Sequence, residues 1–224
     1  MTYRFAASLG LLFLAGCPVG VADDQETDAS GPGDGSSGSS GLTVTWDSTP
    51  AVPGPLTSDL RVDEVRLQAS SLRLIGDSAA PGDPRTTRAP IDLRWSDNNV
   101  PADSELDAAP AGLYSRIEIG TGGSAEHLLI KGEVRQQGNW RDFEIEDERS
   151  HAIVKNIVLA LAPGEHKTIP VTVDVAVILA AVPFGDLEND DGVLELPRDH
   201  PAFDAIWAAV DVSFAVPGSF IDGR

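Results

Sequence analysis

The chain has 224 residues, among them 35 Asp and Glu, 16 Lys and Arg and a single cysteine, and its formal net charge at pH 7 is −19. So acidic a surface repels phosphate backbones and anionic headgroups, which excludes nucleic-acid binding and a membrane contact made by basic residues. One cysteine excludes an internal disulfide and a zinc site built from several thiolates.

The first 17 residues have the pattern of an export signal. A short segment carrying Arg4 leads into ten uncharged, mostly apolar residues, too few to span a hydrocarbon core ~30 Å thick as a helix. The run ends in Leu14, Ala15, Gly16 and Cys17, and this box resembles the signal of bacterial lipoproteins. The resemblance implies that residues 1–16 are a signal peptide removed before Cys17.

In the lipoprotein family the sulfur of the cysteine receives a diacylglyceryl group, so the resemblance makes Cys17 the lipid attachment site. Each buried CH₂ contributes ~0.8 kcal/mol, and two or three long acyl chains would hold the protein to a bilayer permanently. We therefore expect a protein of the cell envelope, anchored by lipid and placed in the outer membrane. The alternatives are an ordinary cleaved signal with a chance cysteine, or an uncleaved N-terminal anchor.

Residues 17–41 are predicted to be a disordered linker that follows the lipid. They contain five Asp and Glu and no Lys or Arg, and they end in a Gly/Ser-rich run from Ser30 to Gly41 with almost nothing to bury. A coil of this length has a root-mean-square reach of roughly 25–30 Å, so the body would stay near the membrane while reorienting. Residues 42–224 are predicted to form the folded domain.

The folded part begins with alternating residues. Leu42 to Trp46 predicts a first strand, and the prolines of 47–57 predict a loop. Leu60 to Ile75 predicts a long strand, with a bulge or bend at Ser70-Ser71 because the apolar parity changes there. The further predicted strands are Ile91–Trp95, Leu113–Ile119, 128–134, Trp140–Glu146, Ile153–Leu161 and Lys167–Val175.

Three finer predictions concern these strands. On the strand Leu113–Ile119 the alternation places Leu113 on the buried face and Tyr114 on the opposite one. The strands Ile153–Leu161 and Lys167–Val175 are expected to pair through the turn at Pro163-Gly164. Pro170 lacks an N–H, so the second of them is expected at an edge or with a bulge. The glycine-rich run Gly120-Thr121-Gly122-Gly123-Ser124 predicts a turn, since a strand follows it and a phosphate loop would need a helix there.

Helical patterns appear only near the end of the chain. Residues 175–182 are almost all apolar and predict a short buried helix begun by Asp174. Phe203, Ile206, Trp207 and Val210 fall on one helical stripe. Several short strands with proline- and glycine-rich turns and little helix predict an all-β fold, an antiparallel β-sandwich with a short C-terminal helix.

One phrase suggests a family for this body. Pro110-Ala111-Gly112-Leu113-Tyr114-Ser115-Arg116-Ile117, with the later Leu161-Ala162-Pro163-Gly164 and Val171-Thr172-Val173-Asp174, resembles a bacterial lipoprotein family of unknown function. The resemblance covers roughly residues 42–181 and implies a β-sandwich of the carbohydrate-binding-like kind. Because its motifs are turns and strands, it implies a fold and no activity.

Motifs of the common catalytic and metal sites are missing from the sequence. The histidines His127, His151, His166 and His200 lack metal-ligand spacing, so no metal or other cofactor is expected. The acidic segment 186–191 has Asp191 and Pro197 where a calcium loop needs Gly and Glu, which favours a solvated loop over a calcium site. Four aromatic residues could stack on sugars if exposed, although strand aromatics are usually core: Trp46, Trp95, Trp140 and Tyr114.

These observations favour a non-catalytic, lipid-tethered binding or structural module over an enzyme. Its expected partners are the membrane, through Cys17, and a polysaccharide or a protein, with no nucleic acid. The alternative is a hydrolase that uses two carboxylates facing each other across a cleft at ~5–10 Å. The candidate carboxylates for that reaction are Asp97, Asp103, Glu105, Asp142 and Glu144.

Overall fold

The computed structural model of the chain describes residues 39–76, 84–88, 90–122 and 127–220. The predicted signal peptide, Cys17 and the predicted linker up to residue 38 lie outside the described residues, as do residues 123 and 124 of the predicted glycine turn. The described residues form 15 β-strands, two α-helices and one 3₁₀ turn. The prediction of an all-β sandwich-like fold with a short C-terminal helix is confirmed.

Three sheets make up the body. Their strands in chain order are β1 Gly41–Thr49, β2 Gly54–Thr57, β3 Leu60–Ala69, β4 Ser71–Gly76, β5 Pro84–Arg88, β6 Ile91–Ser96, β7 Ser104–Leu106, β8 Gly112–Gly120, β9 Leu128–Gln136, β10 Asn139–Asp147, β11 Ala152–Leu161, β12 His166–Asp174, β13 Glu188–Asp190, β14 Val193–Glu195 and β15 Phe214–Ala215. The first sheet has the strand order β15-β12-β1-β7, and the small sheet has the order β11-β8-β4-β5. The large sheet has the order β13-β14-β10-β9-β3-β2, with β6 also paired to β3.

Two helices follow β12. Helix α1, Val175–Ala180, begins as predicted at Asp174, whose carboxylate accepts hydrogen bonds from the backbone N–H groups of Ala176 and Val177. This cap satisfies donors that the first helical turn leaves without a partner. Helix α2, Ala202–Ser213, buries the predicted stripe: Phe203, Ile206, Trp207 and Val210. A 3₁₀ turn, Gly218–Phe220, closes the described chain. Neither helix in the described part of the chain is long and apolar enough to cross a membrane.

Most strand pairs are antiparallel, but two are parallel. β1 runs parallel to β12 over nine residue pairs, from Gly41 beside His166 to Thr49 beside Asp174, and β10 runs parallel to β14. The predicted pairing of Ile153–Leu161 with Lys167–Val175 is therefore wrong. β11 pairs with β8 in the small sheet, and β12 pairs with β1 and β15. The short turn at Gly164 carries the chain between sheets and does not close a hairpin.

The strands β1 to β4 differ from the predicted elements in two places. The expected bend at Ser70 is the point where the chain leaves the large sheet as β3 and enters the small sheet as β4. The predicted loop 47–57 is wrong in part, because β1 extends to Thr49 along β12 and β2 covers Gly54–Thr57. Pro170 lies in the half of β12 that has β1 on one side only, since β15 pairs with just Thr172 and Val173.

The prediction that Leu113 is buried is wrong. Ser115 is an extra residue between Tyr114 and Arg116 relative to β4, so the side-chain parity of β8 changes there. Tyr114 is buried and its hydroxyl donates to the carbonyl oxygen of Pro110 at 2.6 Å, which ties the strand to the turn before it. Leu113 consequently points outward and is half exposed.

All three sheets and both helices contribute to one apolar core. Val44 and Val171 come from the first sheet, Val65 and Ile130 from the large sheet and Leu74 from the small sheet, all buried in a single cluster. A chain with no cysteine among its described residues is therefore held together by burial of apolar surface.

Candidate functional site

A groove of about 530 Å³ lies on the outer face of the large sheet. Strands β3, β6, β9 and β10 form it, together with the turn that follows β6. Its polar lining residues are Asp63, Glu64, Arg94, Ser96, Asp97, Asn98, Lys131, Asp142 and Glu144.

A β-bulge in β3 places Asp63 at the groove. Val62 is opposite Gly132 of β9 and Glu64 is opposite Lys131, so Asp63 is the extra residue of the pair. The β3 backbone approaches Gly132 so closely that a Cβ there would lie 2.1 Å from the carbonyl oxygen of Arg61. Glycine at this position therefore permits the bulge.

Two ion pairs cross the groove. Glu64 Oε2 accepts a hydrogen bond from Arg94 Nη2 at 3.0 Å, and Arg94 Nε lies 2.8 Å from Glu64 Oε1. Lys131 Nζ lies 2.9 Å from Glu144 Oε2. Because β3, β9 and β10 set Glu64, Lys131 and Glu144 side by side in register, these charges form a row across three strands.

Three further carboxylates of the groove form no ion pair within the described part of the chain. Among the described residues, no Lys, Arg or His lies within ion-pair distance of Asp63, Asp97 or Asp142. Burial raises the pKa of Asp63, and the negative charges of Glu133, Asp97 and Asp142 raise it further, against a smaller opposing effect of Arg61. The groove thus has a negative potential that a cationic ligand would relieve.

Three of the five carboxylates that the sequence analysis considered for catalysis meet in this groove: Asp97, Asp142 and Glu144. The other two are elsewhere, with Asp103 exposed before β7 and Glu105 on β7, opposite Thr43 of the first sheet. Asp63 is a groove residue that sequence reasoning missed. The spacing of Val62 and Val65 indicates the bulge. Both are buried although they lie three residues apart, whereas residues on one face of a regular strand are separated by an even number.

The aromatic residues do not form a platform for sugars. Trp46, Trp95 and Tyr114 are buried in the core. Trp140 lies on the large sheet, with the guanidinium of Arg61 at 4.4 Å from its ring centre and that of Arg135 at 6.0 Å. The guanidinium of Arg61 therefore covers one face of the Trp140 ring.

Neither the four histidines nor the acidic segment 186–191 lines the groove. His200 Nε2 lies 3.9 Å from Asp186 Oδ2 of that segment. Within the described ranges, no three His, Cys, Asp or Glu residues are placed to hold a metal ion. Glu188–Asp190 forms β13, and Asp191 and Gly192, both at positive φ, make the turn into β14. His151 stacks on Trp207 with ring centres 4.8 Å apart, and His200 Nδ1 accepts from the backbone N–H of Ala202 before α2.

Comparison of the chain with protein-family models, with curated proteins and with solved structures finds no match. The sandwich and its groove are accordingly interpreted from the residues themselves.

Proposed function

We propose that this chain is a non-catalytic, lipid-tethered module of the bacterial cell envelope whose groove holds a basic segment of a partner protein. The observation that supports the groove as the binding site is its set of three carboxylates, Asp63, Asp97 and Asp142, which form no ion pair among the described residues. A lysine or arginine side chain of a partner would restore the missing charge and relieve the repulsion at Asp63.

The chemistry of the groove supports a protein partner over a polysaccharide. Sugar-binding sites commonly stack pyranose rings on exposed aromatic faces. Trp46 and Trp95 are buried, and Arg61 covers one face of the Trp140 ring. The resemblance to carbohydrate-binding-like lipoproteins remains a proposal about the family of the β-sandwich. It does not imply that this chain binds a carbohydrate.

The proposal also includes a lipid anchor at Cys17 and the linker that follows it. The box ending in Cys17 would hold the protein to the outer membrane by acyl chains, and residues 17–41 would act as a spacer. Labelling of cells with a palmitate analogue should mark the parent protein and leave Cys17→Ser unlabelled. An unlabelled parent would overturn the lipid anchor while leaving the groove untouched.

The groove can be tested with tetralysine as the probe. Isothermal titration of the full chain should detect binding that weakens steeply with salt, because the attraction is largely exposed and therefore screened. Asp142→Asn and Asp97→Asn should each lower the affinity about two- to fivefold, the range expected for one exposed ion pair. Asp103→Asn removes an equal charge away from the groove and is the matched control. Equal losses in all three variants would indicate only a general effect of net charge.

A second candidate function has one observation in its favour. Asp97, Asp142 and Glu144 share a groove with Asp63, whose raised pKa is a property of general acids. A hydrolase would use two of these carboxylates as acid and base or nucleophile. Hydrolysis of a panel of glycoside and ester substrates that disappears in Asp142→Asn but not in Asp103→Asn would favour the enzyme over the binding module.

A further inference from the structure

The outer face of the small sheet has an apolar surface next to the point where the described chain begins. Strand β11 alternates strictly, and its buried residues are apolar, as expected. Its exposed positions are apolar as well, apart from Asn156: they are Ala152, Val154, Val158 and Ala160. The outward face of an antiparallel sheet is ordinarily polar.

Neighbouring elements extend this surface. Leu113 of β8, turned outward by the bulge at Ser115, is opposite Ala160 and is 50% exposed. Val158 is also 50% exposed. Leu113, Val158 and Ala160, with Phe220 of the 3₁₀ turn, line a shallow depression of about 610 Å³ and are defined here as the apolar face. Contiguous exposed apolar surface of this kind marks a protein or membrane contact.

The start of the described chain lies beside the apolar face. Ser40 Oγ donates to the carbonyl oxygen of Ala109 at 2.8 Å, four residues before Leu113. In the parallel pair with β12, Leu42 is opposite Lys167, which lines the same depression. Only 22 residues separate Cys17 from Ser40, and a coil of that length spans roughly 25–30 Å. A lipid at Cys17 would therefore hold this end of the body within about that distance of the bilayer.

The charges around the apolar face suit an uncharged lipid surface. The residues that line the depression include one cation, Lys167, and no carboxylate. Lys167 Nζ donates to the carbonyl oxygen of Ala160 at 2.6 Å and lies 3.3 Å from Glu165, so its charge is locally balanced. The uncompensated carboxylates of Asp63, Asp97 and Asp142 are on a different sheet, away from the headgroups that would meet this face.

We infer that the apolar face of Leu113, Val158, Ala160 and Phe220 rests on the surface of the bilayer to which Cys17 anchors the chain. Shallow insertion of a few apolar side chains is weak alone, but the lipid anchor makes it an intramolecular contact with a high effective concentration. The inference depends on the proposed lipid anchor, and it deepens that proposal by orienting the body. The acidic groove would then remain accessible to a partner.

The test uses the acylated full chain in phosphatidylcholine vesicles, with acylation verified by mass spectrometry on the same sample. Val158→Cys carries an environment-sensitive fluorophore, because acylation blocks the sulfur of Cys17. Asn139→Cys, exposed at the start of β10 in the large sheet, is the matched control. Phosphatidylcholine brominated near the headgroup end of its chains should quench the probe at position 158 at least about twofold more than the probe at 139.

Other outcomes overturn the inference. Equal quenching at both positions, or none at either, would mean that the anchored body takes no fixed orientation. A probe at 158 that is shielded without bromine quenching and shows energy transfer between chains would mean that a second copy covers the face. A chain that is not acylated would remove the anchor itself, and with it this orientation. The mass spectrum separates that failure from the others.

Discussion

The indole Nε1–H of Trp207 donates a hydrogen bond to the buried carboxylate of Asp147, joining helix α2 to the end of β10. Asp147 is 6% exposed and also accepts from Arg149 Nε at 2.9 Å. A buried carboxylate is tolerated only when hydrogen bonds satisfy it. This contact therefore joins the C-terminal helix to the large sheet by a buried polar interaction.

Removal of the indole Nε1–H donor of Trp207 should lower the free energy of unfolding substantially. Trp207→Phe leaves the Asp147 carboxylate with Arg149 as its remaining side-chain partner, and we expect the free energy of unfolding to fall by about 2–3 kcal/mol. Urea denaturation measures the change. Trp95→Phe is the matched control, because Trp95 is equally buried but its Nε1 has no acceptor among the described residues. The control should lose about 1 kcal/mol or less, and equal losses would show that only ring volume matters.

Gly132 should tolerate no side chain. In Gly132→Ala the new Cβ would lie 2.1 Å from the carbonyl oxygen of Arg61 and 2.9 Å from Phe143 Cε1. The backbone at the bulge must shift, and we expect a loss of about 2–4 kcal/mol in the free energy of unfolding. Gly185→Ala meets nothing within 4 Å and should change stability by less than about 0.5 kcal/mol. A stable Gly132→Ala protein would contradict the bulge geometry.

The Asp174 cap should contribute measurably to stability. Asp174 Oδ1 accepts from the N–H groups of Ala176 at 3.0 Å and Val177 at 3.3 Å. Asp174→Ala should therefore lower the free energy of unfolding by about 1 kcal/mol, whereas Asp174→Asn keeps an accepting oxygen and should lose less than about 0.5 kcal/mol. Chemical denaturation of both variants tests this. Equal losses would assign the effect to the charge near the helix N-terminus instead of the hydrogen bonds.

Asp63 should make the free energy of unfolding decrease as pH rises, which is opposite to the effect of a carboxylate whose pKa is lowered by folding. Burial and neighbouring carboxylates raise its pKa in the fold, so the folded chain binds this proton more tightly than the unfolded chain does. The contribution of Asp63 to the free energy of unfolding therefore falls as pH rises from the unfolded pKa of about 3.9 through the raised folded value. The cost is fully present at neutral pH.

Asp63→Asn removes that cost. Because the side chain is exposed and screened by solvent, we expect stabilisation of only a few tenths of a kcal/mol at pH 7, and the difference should close as pH approaches 4. Urea denaturation at several pH values between 4 and 7 measures it. Asp103→Asn, exposed and outside the groove, should show no comparable trend. A destabilised Asp63→Asn at pH 7 would mean that Asp63 has a favourable partner.

The sequence by itself predicted the features that depend on neighbours along the chain. The alternation of β1, the cap at Asp174 and the helical stripe of α2 all follow from local periodicity and hydrogen bonding, and the structure has each of them. The all-β class follows from many such short strands separated by prolines and glycines. Cys17 and its anchor, which also depend on a local motif, stay predictions.

Only the tertiary structure decided which strands pair and which carboxylates meet. Strand alternation specifies an inward face but not a neighbour, so β12 pairs with the distant β1 and not with the adjacent β11. Single extra residues, Asp63 in β3 and Ser115 in β8, reverse the parity on which sequence reasoning depends. The acidic groove and the exposed Leu113 both result from such bulges, whose positions are set by contacts between strands far apart in the chain.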